Sequence, residues 1–123
     1  MMTRTLLATL GLLMALSAPL QAALVFSTGA SWRFFKGRTE ASTPDATSWR
    51  GINFADTAFV DAPAPFWYGD VLPGGTQLTD MQNQYTTIFL RRTFTLASTN
   101  DISALRLTAA CDDGFIVDRK SVV

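Results

Sequence analysis

The amino-acid sequence predicts an all-β protein, an antiparallel β-sandwich from which some strands are missing. Short runs rich in β-branched and aromatic residues alternate between apolar and polar side chains, and loops rich in Gly, Pro, Ser and Asp separate them. Only one short segment has helical spacing, so strands follow one another without crossover helices. At 123 residues the chain has room for one domain.

The first regular strand is predicted at Ser31–Lys36. Successive side chains of a strand point to opposite sides, so Trp32 and Phe34 share one face. The other face carries Arg33 and Phe35. A shorter β-type run precedes this strand at residues 24–27.

The longest strand is predicted at Tyr85–Leu96, which is dense in β-branched and aromatic residues. Arg91 lies on the face opposite the core, whereas Arg92 lies on the core face and must bind a carboxylate or extend to the rim. Four apolar residues define the predicted core face: Ile88, Leu90, Phe94 and Leu96.

The chain between these strands is predicted to lie mainly on the surface. Trp49 anchors a segment in which one short helical turn is expected near residues 53–59, because Phe54, Ala58 and Phe59 share helical spacing. Residues 63–70 contain two prolines and therefore cannot form a central strand, because proline lacks the amide hydrogen that a sheet requires.

The stretch Leu105–Val117 predicts a closing β-hairpin whose bend is Asp112-Asp113-Gly114. Alternation places four residues toward the core in this prediction: Leu105, Leu107, Ala109 and Cys111. Aspartate favours turns, and a carboxylate inside a sandwich needs a cationic partner. Arg91 and Arg92 are the expected partners of the two aspartates.

The amino-terminal residues have the order of a secretory signal peptide. One basic residue, Arg4, precedes an apolar run from Leu6 to Leu16, and small residues follow up to Ala22. The apolar run is shorter than the roughly 20 residues of a membrane span. We expect cleavage after Ala22, a domain over residues 23–117, and a periplasmic, cell-surface or extracellular protein with no span after cleavage.

The composition excludes several functions. Ten basic and ten acidic residues are scattered singly, so the chain has no basic surface of the kind that binds nucleic acid. The absence of histidine excludes Ser/His and Cys/His catalysis and histidine-bound zinc. The single cysteine, Cys111, cannot form an internal disulfide and is expected to be a small core residue.

An ordered set of motifs resembles the galactose-binding-like jelly-roll modules of large secreted bacterial proteins. The motifs are Trp32-Arg33-Phe34, Trp49, residues 53–59, residues 65–70, residues 85–94 and Asp112-Asp113-Gly114-Phe115. The resemblance implies a jelly roll, which needs roughly eight strands, whereas about five are recognisable. We therefore expect an incomplete sandwich that is marginally stable and prone to pairing through its open edges.

The last six residues, Asp118–Val123, interrupt the strand pattern. Our hypothesis is that they are the translation of one reading frame of a sequencing-library adapter. We expect a non-native tail on a fragment of a longer gene, which resequencing across codon 118 tests.

The candidate ligand-binding residues are Trp32, Trp67 and Tyr68, whose rings are of the type that stacks on sugars. Asp112 and Asp113 are candidate calcium ligands, because Ca²⁺ prefers several hard oxygen ligands. These carboxylates do not form a catalytic pair, because neighbouring residues of a strand point to opposite faces. The structural residues expected are Trp49, Arg91, Arg92, Asp112, Asp113 and Gly114.

The resemblance implies a non-catalytic binding or structural module that attaches an exported bacterial protein to cell-surface glycans or to neighbouring domains. An alternative is the leading accessory domain of a secreted hydrolase or kinase-like enzyme, whose catalytic motifs would lie downstream. A third interpretation is a small secreted protein that assembles with itself through open sheet edges.

Overall fold

The computed structural model describes residues 23–100 and 102–120, and this part of the chain is a small all-β fold with almost no helix. The predicted signal peptide, residues 1–22, lies outside the described residues. No helix within residues 23–100 and 102–120 is long and apolar enough to cross a bilayer. The elements are β1 Ser31–Lys36, a single 3-10 turn Ser48–Arg50, β2 Val60–Pro63, β3 Phe66–Trp67, β4 Thr76–Gln77 and β5 Ile88–Arg91.

A three-stranded antiparallel sheet in the order β2-β1-β5 is the centre of the fold. In its register Phe34 of β1 lies opposite Val60 of β2 and Leu90 of β5. The prediction for β1 is confirmed residue for residue. Pro63 ends an edge strand, as expected for a residue that cannot donate to a ladder. Strands β3 and β4 form a separate parallel pair.

One face of the three-stranded sheet carries the apolar core. Phe34, Ala62 and Leu78 are buried together. The Phe34 and Phe66 rings lie 5.0 Å apart, which brings the β3 segment onto the sheet. Partly buried side chains complete this core: Phe66, Met81, Ile88 and Leu90. The predicted core positions Ile88 and Leu90 are therefore confirmed, whereas Phe94, predicted on the same face, is exposed because it lies beyond the end of β5.

The opposite face is covered by the loop that follows the 3-10 turn. The Phe35 ring lies 5.2 Å from Phe59 and 6.2 Å from Phe89. Trp49 packs edge-on against Phe89 at 5.1 Å, so it anchors this loop as predicted. The three-stranded sheet therefore has apolar contacts on both faces: the β3–β4 pair packs on the core face, and the loop covers the other.

An arginine network fixes the same loop. The Asp56 carboxylate forms ion pairs with Arg33 and Arg91, whose Nε atoms lie 3.3 Å and 3.5 Å from its oxygens. Arg91 also donates to the Trp49 carbonyl and, at 3.1 Å, to the Gly51 carbonyl. Arginine suits this position because its rigid fork can reach several acceptors at once.

The predicted pairing of Arg91 and Arg92 with the two aspartates of the bend is wrong. Arg91 binds Asp56, and Arg92 donates to the Ser31 carbonyl and covers the Phe26 ring at 5.1 Å. Asp56 is nearer to the sheet in the fold, whereas Asp112 and its neighbour are exposed. Arg92 thus lies at the rim, which was the other possibility for this side chain.

The helical turn lies earlier than predicted, at Ser48–Arg50, and residues 53–59 form turns instead. The Asp45 carboxylate accepts the Thr47 amide at 2.8 Å and the Ser48 hydroxyl at 3.0 Å. These bonds lower the pKa of Asp45, the Thr47 backbone bond most. A local aspartate turn therefore starts the 3-10 turn, whereas helical spacing alone placed it too late.

Two other predicted strands are shorter than expected or not formed. The predicted strand at residues 85–96 is shortened to Ile88–Arg91, because only this part lies opposite β1. Residues 24–27 form no strand; Phe26 packs its ring against Trp32 at 5.4 Å. Residue type favours β structure, but ladder formation requires a neighbouring strand.

The closing hairpin is also wrong, since no strand is assigned within residues 102–120. All four residues predicted to face inward are exposed: Leu105, Leu107, Ala109 and Cys111. Alternation decides which side chains share a face, but burial requires a second surface for them to contact. No such surface lies beside this stretch in the described residues. Residues 112–113, the predicted turn, form a bend.

Candidate functional site

A shallow groove of about 280 Å³ lies beside the core face of the sheet. It brings together an aromatic ring, side-chain amides, a hydroxyl and a carboxylate. We call it the Tyr68 groove, and its lining residues are Tyr68, Met81, Gln82, Asn83, Tyr85, Thr86 and Asp113.

Tyr68 owes its position to the strand pair that precedes it. Trp67 pairs with Gln77 in β4, and its indole N–H donates to the Gly74 carbonyl at 3.0 Å. Gly69 follows with a φ of 83°, a left-handed conformation that glycine adopts without strain. The chain therefore turns directly after Tyr68, which stays 43% exposed at the groove.

The floor of the groove is a turn anchored on the core. The Met81 side chain packs against the buried cluster, and its carbonyl accepts the Gln84 amide at 3.0 Å and the Tyr85 amide at 3.2 Å. Asn83 has a φ of 60°, the left-handed region that asparagine tolerates better than most residues. Gln82 and Asn83 are both exposed on this turn.

An ion cluster supports the groove through Tyr85. The Asp80 carboxylate accepts Lys36 Nζ at 2.7 Å, Arg38 Nη2 at 2.6 Å and the Tyr85 hydroxyl at 2.8 Å. The Lys36 bond, followed by the Tyr85 bond, lowers the pKa of Asp80. Burial, followed by the Asp80 carboxylate, raises the pKa of Tyr85 to about 12.

This chemistry keeps both groups in one protonation state near neutral pH. Asp80 is ionised and its two oxygens are already bonded, so it is a poor proton acceptor for a ligand. Tyr85 remains protonated and donates to Asp80. The cluster therefore acts as a rigid support for the groove, and the uncommitted polar side chains lie along the groove's rim.

Two of the predicted site residues meet in this groove. Tyr68 was a candidate ligand-binding residue and Asp113 a candidate calcium ligand, and both line it. Trp32 and Trp67 lie elsewhere: Trp32 packs edge-on against Phe26, and the indole N–H of Trp67 is already bonded. Asp112 is exposed outside the groove.

Among the residues that the structure describes, the fold brings no further acidic side chain close to Asp112 and Asp113, the predicted calcium ligands. Within residues 23–100 and 102–120, no three acidic or cysteine side chains come close enough to hold a metal ion. Gly114 has open space where a side chain would begin, so close packing does not require glycine there.

Sequence reasoning missed Met81, Gln82, Asn83 and Thr86, which were assigned to a loop and to a strand end. The sequence feature that could have identified them is the mainly polar run between two buried residues, Leu78 and Tyr85. Such a run must form an exposed turn held at both ends by the core. Recognising the turn required the fold, because Tyr68 and Asp113 approach it from distant parts of the chain.

A second recess, of about 420 Å³, lies beside the 3-10 turn. Arg50 pairs there with Asp118 at 3.7 Å, and Lys120 also lines it. Two of its charged residues thus belong to the predicted non-native tail, so this recess is the weaker candidate. The comparison with known proteins adds no assignment: no family model, no curated protein and no solved structure matches this chain.

Proposed function

We propose that this chain is a non-catalytic module of an exported protein and that it binds a neutral carbohydrate in the Tyr68 groove. The observation that carries the proposal is the meeting of an exposed tyrosine ring with the polar side chains of Gln82, Asn83, Thr86 and Asp113. The galactose-binding-like jelly roll, suggested by sequence motifs, is the fold class that we propose for the complete domain.

A sugar presents an apolar face of C–H groups and a rim of hydroxyls. A tyrosine ring offers a flat apolar surface with a polar tip. Amide side chains both donate and accept, a threonine hydroxyl does the same, and a carboxylate accepts. The groove therefore offers the two kinds of contact that a sugar ring requires.

The size and charge of the groove narrow the ligand. Its volume, about 280 Å³, is just below the roughly 300–1,000 Å³ of typical small-molecule sites, which suits one sugar ring at the end of a glycan. Asp113 is the one charged lining residue, and the nearby cations Lys36 and Arg38 are paired with Asp80. This supports a neutral sugar over an anionic ligand.

A titration of the ¹⁵N-labelled protein with D-galactose, D-glucose and N-acetylglucosamine tests the proposal. We expect at least one sugar to shift the amide signals of Tyr68 and Asn83, with a Kd on the order of 1 mM. The proposal is wrong if none of the three sugars binds, or if the shifts surround Trp32 instead.

Variants then locate the contacts. Tyr68→Ala removes the ring and should weaken binding about tenfold, whereas Tyr68→Phe keeps the ring and should bind within about threefold of the wild type. Asn83→Gly removes the amide without disturbing a backbone φ of 60°, and should weaken binding about threefold to tenfold. Trp32→Phe, outside the groove, is the control and should leave the affinity unchanged.

A further inference from the structure

The Met81 side chain belongs both to the core and to the Tyr68 groove. It packs against the buried cluster around Phe34, and it also lines the groove. The residue is half-buried, so part of its surface remains in contact with solvent. A small solute that enters the groove therefore meets a methionine that also supports the core. Met81 is the only methionine after Met14 in the sequence.

A methionine thioether has a chemistry that the other groove side chains lack. Mild two-electron oxidants, such as a peroxide or hypochlorous acid, convert it to a sulfoxide. With hydrogen peroxide, an S–O bond forms as the O–O bond breaks. The sulfur loses two electrons, the peroxide gains them, and the second peroxide oxygen leaves as water. A flexible apolar side chain thereby becomes a polar one.

The new oxygen finds hydrogen-bond donors on one side of Met81 only. The core cluster that Met81 packs against consists of hydrocarbon side chains, which cannot donate a hydrogen bond: Phe34, Ala62, Leu78, Phe66, Ile88 and Leu90. The groove side carries the amides of Gln82 and Asn83 and the hydroxyl of Thr86. Because a buried polar group without a partner is costly, we expect the sulfoxide to turn toward the groove and leave the core.

The same residue fixes the turn that forms the groove floor. Its carbonyl accepts the Gln84 and Tyr85 amides, at 3.0 Å and 3.2 Å. Asn83, within this turn, has a φ of 60°. A Met81 side chain that leaves the core removes the apolar contact that holds the turn on the sheet. Oxidation should therefore lower the stability of the fold and change the shape of the groove together.

We propose that Met81 is an oxidation site, through which a peroxide closes the Tyr68 groove and loosens the turn beneath it. A methionine sulfoxide reductase reverses the change, since a dithiol supplies two electrons, becomes a disulfide, and the sulfoxide oxygen leaves as water. Cys111 is exposed and is also open to oxidation, but it does not line the groove. The proposal concerns the shape of the groove and does not depend on sugar binding.

Treatment of the ¹⁵N-labelled protein with hydrogen peroxide, followed by peptide mapping, tests the site. We expect one added oxygen on Met81 and displaced amide signals of Tyr68 and Asn83. The equilibrium constant of unfolding in urea should rise about tenfold, because a polar group now competes with the apolar core. These measurements need no sugar, so a failure of the sugar proposal and a failure of this one are distinguishable.

Two variants isolate Met81 from the other oxidisable residues. Met81→Leu keeps an apolar side chain of similar volume, and peroxide should leave its Tyr68 signal and its unfolding unchanged. Met81→Gln imitates the polarity of the sulfoxide and should displace the same signals without oxidant. Sulfoxide reductase with dithiothreitol should restore the spectrum of the oxidised wild type. An unmodified Met81 under conditions that oxidise free methionine, or a modified Met81 with unchanged groove signals, would overturn the proposal.

Discussion

Arg91 connects β5 to the loop that covers one face of the sheet, so its removal should be among the more costly single changes. Its side chain is 12% exposed and reaches the carbonyls of Trp49 and Gly51 and the carboxylate of Asp56. Its guanidinium also covers the Phe54 ring at 5.1 Å. Arg91→Ala removes all of these contacts at once.

The expected loss of unfolding free energy follows from the carbonyl and carboxylate groups that lose their donor when Arg91 is removed. A buried carbonyl that loses its donor costs about 1–3 kcal/mol, and the loss of the partly exposed Asp56 pair adds less than about 1 kcal/mol. Water reaches part of this site, so we take the lower half of that range and expect Arg91→Ala to lower the free energy of unfolding by about 3 kcal/mol. Arg91→Lys keeps the charge but loses the fork, and should cost about 1–2 kcal/mol.

Urea unfolding followed by tryptophan fluorescence measures both variants, and Trp49 reports directly on the loop. Arg119→Ala is the matched control, because Arg119 is exposed and should change the unfolding free energy by less than about 0.5 kcal/mol. If Arg91→Ala does not fold, Arg91→Lys still gives the measurement. A loss below about 1 kcal/mol for Arg91→Ala would refute the view that this side chain holds the loop.

Three further predictions concern the groove and its neighbouring turn. The Asp80 pKa is lowered from 3.8, so its contribution to stability is complete above that pH and is lost as the pH falls below it; Asp80→Asn should flatten the acid limb of the stability profile. The Tyr85 pKa is raised from 10.0 to about 12, so its contribution is present below pH 10 and is lost as the pH rises toward 12; Tyr85→Phe should remove this alkaline limb. Gly74 and Gly75 both have a φ of 76°, but only at Gly75 would a Cβ run into the Pro65 carbonyl oxygen. Gly74→Ala should therefore cost about 1 kcal/mol and Gly75→Ala clearly more, as measured by urea unfolding, and equal costs would contradict the geometry.

The elements that the sequence predicted correctly are those whose neighbours are present. The alternation of Trp32, Arg33, Phe34 and Phe35 predicted β1 and its two faces, because both faces pack against described residues. The prolines of residues 63–65 correctly argued against a central strand. A local pattern is reliable when the surface that it requires exists in the fold.

The predictions that failed depended on partners elsewhere in the chain. The pattern at residues 105–117 is as regular as that of β1, yet no sheet borders it in the described residues. Arg91 had several carboxylates available in the sequence, and proximity in the fold selected Asp56. The alternation of residues predicts which side chains of a segment share a face, whereas the fold determines which segment or side chain becomes their partner.

The groove was predictable only in part. Tyr68 and Asp113 were selected for their chemistry, and the structure brings them together. Nothing in their spacing indicated this, because they lie far apart in the chain. The turn that joins them depends on the left-handed Asn83 and on Met81 in the core, and both are properties of the folded chain.

The most direct test of the proposed sugar site is a nuclear Overhauser measurement between the protein and whichever of the three sugars binds most tightly. The account predicts contacts from the Tyr68 ring protons to the C–H protons of the sugar, and their loss in Tyr68→Ala. Contacts to the Trp32 or Trp67 ring instead, or an unchanged set of contacts in Tyr68→Ala, would contradict it.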